Sequence, residues 1–402
     1  MVVAAATALL AVATLRHVWS GGTTLNDHAV AVVVLGCLLL YPFLWWGAVQ
    51  SGAESALLAA AFVAGAVGIW VIFALLGTRV ELGRVGLALG VGSQVAYAFS
   101  LWAGLLIILR APVAWGLDLP LAWPGMWLML PLGLALWGTA WTWARRHKVV
   151  QLRIQGPEVA GRPLCIVQLS DLHASPLMRG QDLDALADEV ERLRPDIIVV
   201  TGDLVMPFSE DHHRYLLRSL SRLRRLAPVL ACPGNHDLPV ADQLADELAA
   251  VDVAWLVDRA LTLDGPGWTT PVHVLGVDFR WQGLAAHLDQ VLEQHPAPSS
   301  PMLRLLLAHD PRVFAHVPRD RFTLVLSGHT HGGQVGLQML GMRGSLLGLF
   351  GVRDHGLFHR PGASLWVHAG SWHTGLPPRM GVAPEIVQIL SSPSFSGRPI
   401  RA

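Results

Sequence analysis

Five clusters of oxygen- and nitrogen-bearing side chains recur along the second half of this 402-residue chain, and their residue types suit metal ions. In order they are Asp171-Leu172-His173, Gly202-Asp203, Gly234-Asn235-His236-Asp237, His309-Asp310 and Gly328-His329-Thr330-His331-Gly332-Gly333-Gln334. In the last cluster two histidines stand one residue apart. Alternation in an extended chain throws both rings to the same side, within reach of one ion or of two adjacent ions. Carboxylate, imidazole and amide oxygen, with no thiolate, suit Mn, Fe, Zn or Mg rather than a structural zinc cage. Asp171, His173, Asp203, Asn235, His309, His329 and His331 are more ligands than one catalytic ion takes. They suit two divalent ions that share a bridging carboxylate, an arrangement matched to clamping the oxygens of a phosphoryl group during in-line attack.

Each cluster follows a short apolar run. The pattern predicts strands over 164–169, 196–201, 229–232, 272–277, 302–308, 322–326 and 364–368, and helices over 181–194, 211–226 and 241–250. In the first helix Leu183, Leu186, Val190 and Leu193 recur at helical spacing. This strand–helix rhythm predicts a layered α/β domain with mixed sheets. Open α/β sheets gather ligands at the carboxyl ends of their strands, so five such ends can converge on one crevice. From Gln388 onward the chain is rich in Ser and Pro and reads as a frayed tail. Arg214, Arg218, Arg222, Arg224 and Arg225 share one helix, either as a solvated face or as a face against anionic lipid headgroups. Leu346-Leu347-Gly348-Leu349-Phe350 reads either as core or as a hydrophobic lip beside the site.

The first half is of another kind. Of 58 charged side chains only eight lie in the first 144 residues. Uncharged stretches at 28–50, 55–78, 85–109 and 119–144 are each long enough to cross a bilayer, which needs about 20 apolar residues. A shorter one at 2–15 makes the count four to five helices. Trp19, Trp45, Trp46, Trp102, Trp123, Trp141 and Trp143 crowd the edges of these stretches, as interfacial anchoring predicts. Arg16, Arg79, Arg84, Arg145, Arg146 and Lys148 fall on one side and Arg110 on the other, which puts the second half in the cytoplasm. The expected organisation is a transmembrane region over 1–149, a catalytic domain over 150–392 and a tail over 393–402. Cys37, Cys165 and Cys232 show no disulfide spacing, and the balanced net charge is unlike that of a nucleic-acid binder, so no nucleic-acid partner is expected.

The ordered set Asp171-x-His173, Gly202-Asp203, Gly234-Asn235-His236-Asp237, His309 and Gly328-His329-x-His331 resembles the calcineurin-like metallophosphoesterases over about 164–390. The form Gly-His-Thr-His-Gly-Gly-Gln, with Pro384-Glu385-Ile386 near the end, is similar to the membrane-attached subgroup. That subgroup includes enzymes acting on phosphodiesters and on the lipid-A precursor UDP-2,3-diacylglucosamine. The resemblance implies a four-layer α/β domain, two mixed sheets flanked by helices, behind the N-terminal multi-span helical membrane region. It implies that Asp171, His173, Asp203 and His331 hold one ion, while Asp203 bridges to a second held with Asn235, His309 and His329. His236 would protonate the leaving oxygen, with Asp237 orienting its imidazole. Asp310 and Gln334 are further candidates for touching substrate. His368 and His373 depart from the subgroup, standing where smaller residues are expected, as candidate pocket-lining residues. The expected activity is a membrane-anchored dinuclear hydrolase of a phosphodiester or pyrophosphate bond, with a lipid-linked substrate among the options and the bilayer as a partner. The alternatives are a metal-binding scaffold or a membrane sensor that retains the fold.

Overall fold

The computed structural model describes residues 146–174, 178, 180–206, 210–299, 302–333, 345, 348, 351–372, 379, 381–395 and 399–401. The expected spans, His373, Gln334 and all of 346–350 except Gly348 lie outside the described residues. Among the described residues no helix is long and apolar enough to cross a membrane.

Two sheets form the centre. The first contains β1 (Lys148–Gln155), β2 (Glu158–Val159), β3 (Arg162–Leu169), β4 (Ile197–Thr201), β5 (Val229–Cys232), β6 (Ala254–Trp255), β13 (Glu385–Ser392) and β14 (Ile400–Arg401). Its order is β14-β1-β13-β3-β4-β5-β6, with β2 on β3. The second runs β11 (Gly356–Arg360), β12 (Ala363–Val367), β10 (Leu324–Ser327), β9 (Leu303–Leu307), β8 (Val272–Gly276) and β7 (Arg259–Leu263). Strands β3 to β6 are mutually parallel, as are β8, β9, β10 and β12. Antiparallel β13, β7 and β11 make both sheets mixed.

The near-continuous apolar strands are explained by burial on both faces. In β4, Ile197 and Val199 point into a core shared with Leu305, Leu307, Leu324, Leu326 and Trp366 of the second sheet. Their neighbours Ile198 and Val200 point the other way, into a core with Leu183, Leu186, Val190, Leu216, Leu220, Leu244 and Leu248. Those residues belong to α1 (Gly180–Arg192), α2 (Glu210–Arg224) and α3 (Ala241–Ala250). On the far side of the second sheet, Leu306, Val325 and Leu365 meet Leu288 and Val291 of α4 (Leu284–Gln294) and Phe314. The layers are therefore helix, sheet, sheet, helix.

One expectation is corrected, and one of two alternatives is favoured. The tail read from Gln388 onward begins inside β13, a buried strand between β1 and β3, and β14 also pairs with β1. Its side chains are short, but alternate residues Val387, Ile389 and the buried Ser391 face inward, which composition alone does not reveal. Three of the five arginines, Arg218, Arg222 and Arg224, are ion-paired within the protein, which favours the solvated-face reading. Arg218 pairs with Asp184, and Arg222 reaches Asp188 at 2.7 Å and Glu191 at 2.5 Å, both pairs tying α2 to the neighbouring α1. Arg224 meets Asp252 at 2.5 Å. Those pairs reduce the net positive field a headgroup contact needs.

Candidate metal centre

Every sequence-selected cluster leaves the carboxyl end of a parallel strand. Asp171 and His173 follow β3, Asp203 follows β4, Asn235 and His236 follow β5, His309 follows β9, and His329 and His331 follow β10. Backbone bonds fasten these exits together. Asp171 N donates to Gly202 O at 3.0 Å, His173 N to Asp203 O at 2.9 Å, and Gly328 N to His309 O at 3.0 Å. The loops approach so closely that a Cβ on Gly234 would strike the Asp203 carboxylate and amide, and one on Gly328 would strike Ser170 and Asp171.

Two groups of side chains meet at Asp203. In the first, His331 Nε2 lies 3.2 Å from Asp171 Oδ1 and 3.0 Å from His173 Nε2. In the second, His309 Nε2 lies 3.2 Å from Asp203 Oδ2 and from His329 Nδ1. Asp203 Oδ2 is also 3.6 Å from His173 Nε2, so one carboxylate oxygen faces both groups. Asp171–His173–His331 and Asp203–His309–His329 each have ligand atoms close enough to hold an ion, as does His173–Asp203–His236. Asp171, His173, Asp203, His309 and His331 are buried, while Asn235 and His236 are half-buried.

The residues fit two cations on chemistry beyond proximity. Asn235 Oδ1 is buried with no hydrogen-bond partner among the described residues, a position that an amide oxygen keeps only where it has another ligand. His309 Nδ1 lies 2.7 Å from Thr201 O, and a carbonyl only accepts, so the ring donates there and turns the Nε2 lone pair inward. The facing Nε2 atoms of His173 and His331 suit a cation between them.

Charge distribution agrees. Burial pushes Asp203 up, yet His309, His236 and His173 outweigh it and hold the carboxyl well below its usual range. Burial pushes His309 down, but the charge and hydrogen bond of Asp203 carry it up to about 10, so without an ion Nε2 holds a proton against Asp203 that a cation displaces when it takes the lone pair. Burial and the His309 charge press His329 down to about 4, and burial with His173 and Arg379 holds His331 well below its usual value. Both rings are therefore neutral and able to ligate at neutral pH. Burial raises Asp171 to about 6, helped by Asp203 and opposed by His309.

The loops are strained where they hold the ligands. Asp171 (φ 55°), His173 (45°), Asp203 (53°), His329 (75°) and His331 (50°) all occupy the left-handed region, which non-glycine residues rarely adopt.

Five sequence candidates land elsewhere than expected or outside the description. Asp237 does not orient the His236 imidazole. Its fully buried carboxylate accepts from Leu204 N (2.9 Å), Val205 N (3.1 Å) and Gly234 N (2.8 Å), stapling the loop after β4 to the loop after β5. Asp310 caps the 3-10 turn Pro311–Ala315, accepting from Arg312 N at 2.8 Å and pairing with the Arg312 guanidinium at 2.6 Å, so its oxygens are already engaged. His368 is fully buried, and its Nδ1 accepts from Gly370 N at 2.8 Å, so it braces a loop rather than lining a pocket. Burial presses it down to about 3. Gln334 and His373 lie outside the described residues. His236 donates its backbone N–H to Asp203 Oδ1 at 2.9 Å, and its ring, 5.0 Å from that of His173, makes no hydrogen bond among the described residues. Sequence reading also missed Arg379, a buried guanidinium beside His331, because it belongs to no cluster of ligand types.

Comparison with known proteins gives concordant matches. The family model for the calcineurin-like phosphoesterases matches residues 165–333. An uncharacterized metallophosphoesterase of Aquifex aeolicus is 30% identical over 229 residues, covering 56% of this chain and 84% of that protein. Phosphodiesterase YaeI of Escherichia coli is 30% identical over 184 residues, 44% of this chain and 64% of that protein. A Danio rerio protein named as a transmembrane protein with a metallophosphoesterase domain is 29% identical over 245 residues, 56% of this chain and 53% of that protein. The chain thus spans less than two thirds of the length of the last two relatives.

Proposed function

The chain belongs to the calcineurin-like phosphoesterase family, and from that premise we propose that it is a dinuclear metal-dependent hydrolase of a phosphodiester or pyrophosphate bond. The observation that carries the reading is Asp203, whose single carboxylate oxygen lies 3.2 Å from His309 Nε2 and 3.6 Å from His173 Nε2, between two ligand groups. Asp171, His173, Asp203 and His331 hold one divalent ion, and Asp203, Asn235, His309 and His329 hold the other. Mn, Fe, Zn and Mg all accept this donor set. Bound there, the two ions supply electrostatic clamping of phosphoryl oxygens and an activated water for in-line attack.

The chain's own groups do the remaining work. Buried Asp171 and Asp203 fix the two ligand groups relative to one another, and Asp237 holds the Asp203 and Asn235 loops at one spacing. His236, half-buried with an uncommitted ring, donates a proton to the leaving oxygen, which an imidazole can do near neutral pH. The phosphodiesterase name of the Escherichia coli relative supports a diester substrate. The charge-poor first 144 residues, together with the transmembrane name of the zebrafish relative, support a membrane anchor. Basic residues clustered at 145, 146 and 148 support a cytoplasmic site that acts on a lipid-linked phosphoester.

The test is hydrolysis of bis-p-nitrophenyl phosphate by the full-length chain in detergent with added Mn. Asp203→Asn and His309→Ala should each abolish metal-dependent turnover. Wild-type rates in either variant would overturn the dinuclear reading.

A further inference from the structure

Arg379 is 1% exposed, and no carboxylate lies within ion-pair distance of it among the described residues. Its Nε is buried without a hydrogen-bond partner there. Asp171 and Glu385 favour its charge only from beyond ion-pair distance, and a buried guanidinium so placed is held chiefly by whatever its nitrogens reach. Its other nitrogens point to what that is. Nη2 donates to Gly370 O at 3.2 Å and to Trp372 O, and lies 3.3 Å from His331 Nδ1, while Nη1 reaches His331 O at 3.5 Å.

Trp372 O is the shared partner. It lies 3.3 Å from His331 Nδ1 as well as accepting from Arg379. A carbonyl only accepts and a guanidinium only donates. Nη2 has two protons and both go to Gly370 O and Trp372 O, so it has none left for Nδ1. With its own proton on Nδ1, the His331 ring donates to Trp372 O and turns the Nε2 lone pair toward Asp171 Oδ1 and His173 Nε2. A ligating imidazole usually needs such an acceptor behind it to fix its tautomer and orientation. The loop that supplies this carbonyl is anchored at the preceding residues. Ser371 N donates to Ser170 O at 2.7 Å, Ser371 Oγ donates to Glu385 O at 3.1 Å, and His147 Nε2 lies 3.0 Å from Ser371 O. Gly370, at φ 82°, leaves the space for the guanidinium, since a Cβ there would sit 2.5 Å from Nη2.

We propose that Arg379 is a positioning residue for the metal centre: it clamps the carbonyls of Gly370 and Trp372 so that Trp372 O holds His331 in the ligating orientation for the ion shared with Asp171 and His173. The proposal rests on the dinuclear reading and adds to it a residue that no ligand motif contains. It also makes the two metal positions unequal, because His329 and His309 lean on no such clamp and should be indifferent to Arg379.

The experiment titrates Mn into full-length wild type, Arg379→Gln and Arg379→Lys in detergent, by calorimetry and by electron paramagnetic resonance. Circular dichroism checks the fold of each. Wild type should take two ions per chain with a spin-coupled signal. Arg379→Gln should take one ion at wild-type affinity and the other about 10- to 100-fold more weakly, with an uncoupled signal at low Mn and activity restored by excess Mn. Arg379→Lys, which keeps the charge but not the planar fork, should fall between the two. Two wild-type affinities with a raised KM would make Arg379 a substrate contact and overturn the proposal. If Arg379→Gln does not fold, Arg379→Lys decides by the same titration. If neither folds, the arginine serves the fold and the proposal fails. Wild type that binds no divalent ion would instead sink the hydrolase reading itself.

Discussion

Replacing His236 with alanine separates leaving-group chemistry from metal binding, because the residue touches the centre in two independent ways. Its backbone N–H donates to Asp203 Oδ1 at 2.9 Å, and alanine keeps that bond. Its ring is half-buried and makes no hydrogen bond among the described residues, so His236→Ala removes a proton donor without orphaning a partner. The substitution should leave Mn stoichiometry intact and thermal stability within about 1 kcal/mol, as for other changes that break no buried network. A positioned general acid contributes about 10²- to 10⁴-fold, or about 3–5 kcal/mol of barrier, where the leaving group needs a proton. Nitrophenolate leaves readily as the anion and needs almost none of this help. The assay compares kcat/KM for bis-p-nitrophenyl phosphate with that for a dialkyl diester, whose leaving group is an alkoxide. Expected losses are below about tenfold for the first and at least about a hundredfold for the second. Equal losses on both would refute the general-acid role, and a lost Mn equivalent would show that the ring is a ligand instead.

Asp237→Asn should slow good and poor leaving groups alike, since its carboxylate bonds only backbone amides of the Asp203 and Gly234 loops; a loss confined to alkoxide leaving groups, read in the same paired assay, would return Asp237 to an orienting role. Metal uptake should weaken as pH falls through about 6. Burial raises Asp171 to about 6 in the metal-free protein, so its protonated form stabilises that state fully below the ordinary carboxyl range and loses this as pH rises through about 6. A cation needs the carboxylate, so this proton competes in addition to the one His309 already carries, and affinity should drop by up to about a further tenfold per pH unit below 6. Calorimetric titration at pH 5 and pH 7 giving equal affinities would refute this.

The candidate ligands were legible in the sequence because metal chemistry restricts residue types and glycine-bounded strand exits restrict their placement. Asp171, His173, Asp203, Asn235, His309, His329 and His331 are gathered at the carboxyl ends of β3, β4, β5, β9 and β10. Strands β4 and β9 were legible for a different reason, since burial on both faces demands continuous Ile, Val and Leu. What escaped was whatever depends on long-range pairing. Lys148–Gln155 carries a local strand signal, Val150, Leu152 and Ile154 alternating with polar residues, but nothing local names its partner β13, which lies 237 positions further on in register. Arg379 escaped similarly. Its significance lies in the carbonyls it gathers from Gly370 and Trp372, and backbone carbonyls leave no trace in residue type. Asp237 was found, but its partners were wrongly assigned for the same reason, since all three are backbone amides.

Backbone strain at the centre binds these observations together. A non-glycine residue in a sparsely populated φ region costs about 1–3 kcal/mol, and five of the ligands are held there at once. That sum is of the same order as the entire net stability of a domain, so the surrounding structure must over-determine each turn. It does so with the bonds that the site shows: Asp171 N to Gly202 O, His173 N to Asp203 O, and His329 N to the Asp171 carboxylate at 3.1 Å. The last of these joins the two ligand groups directly, because the residue that carries a second-group imidazole donates its amide to a first-group carboxylate. Moving either loop would break a turn in the other. The two ligand groups are therefore joined by that bond, and the strained turns are where two sheets bring seven donors together.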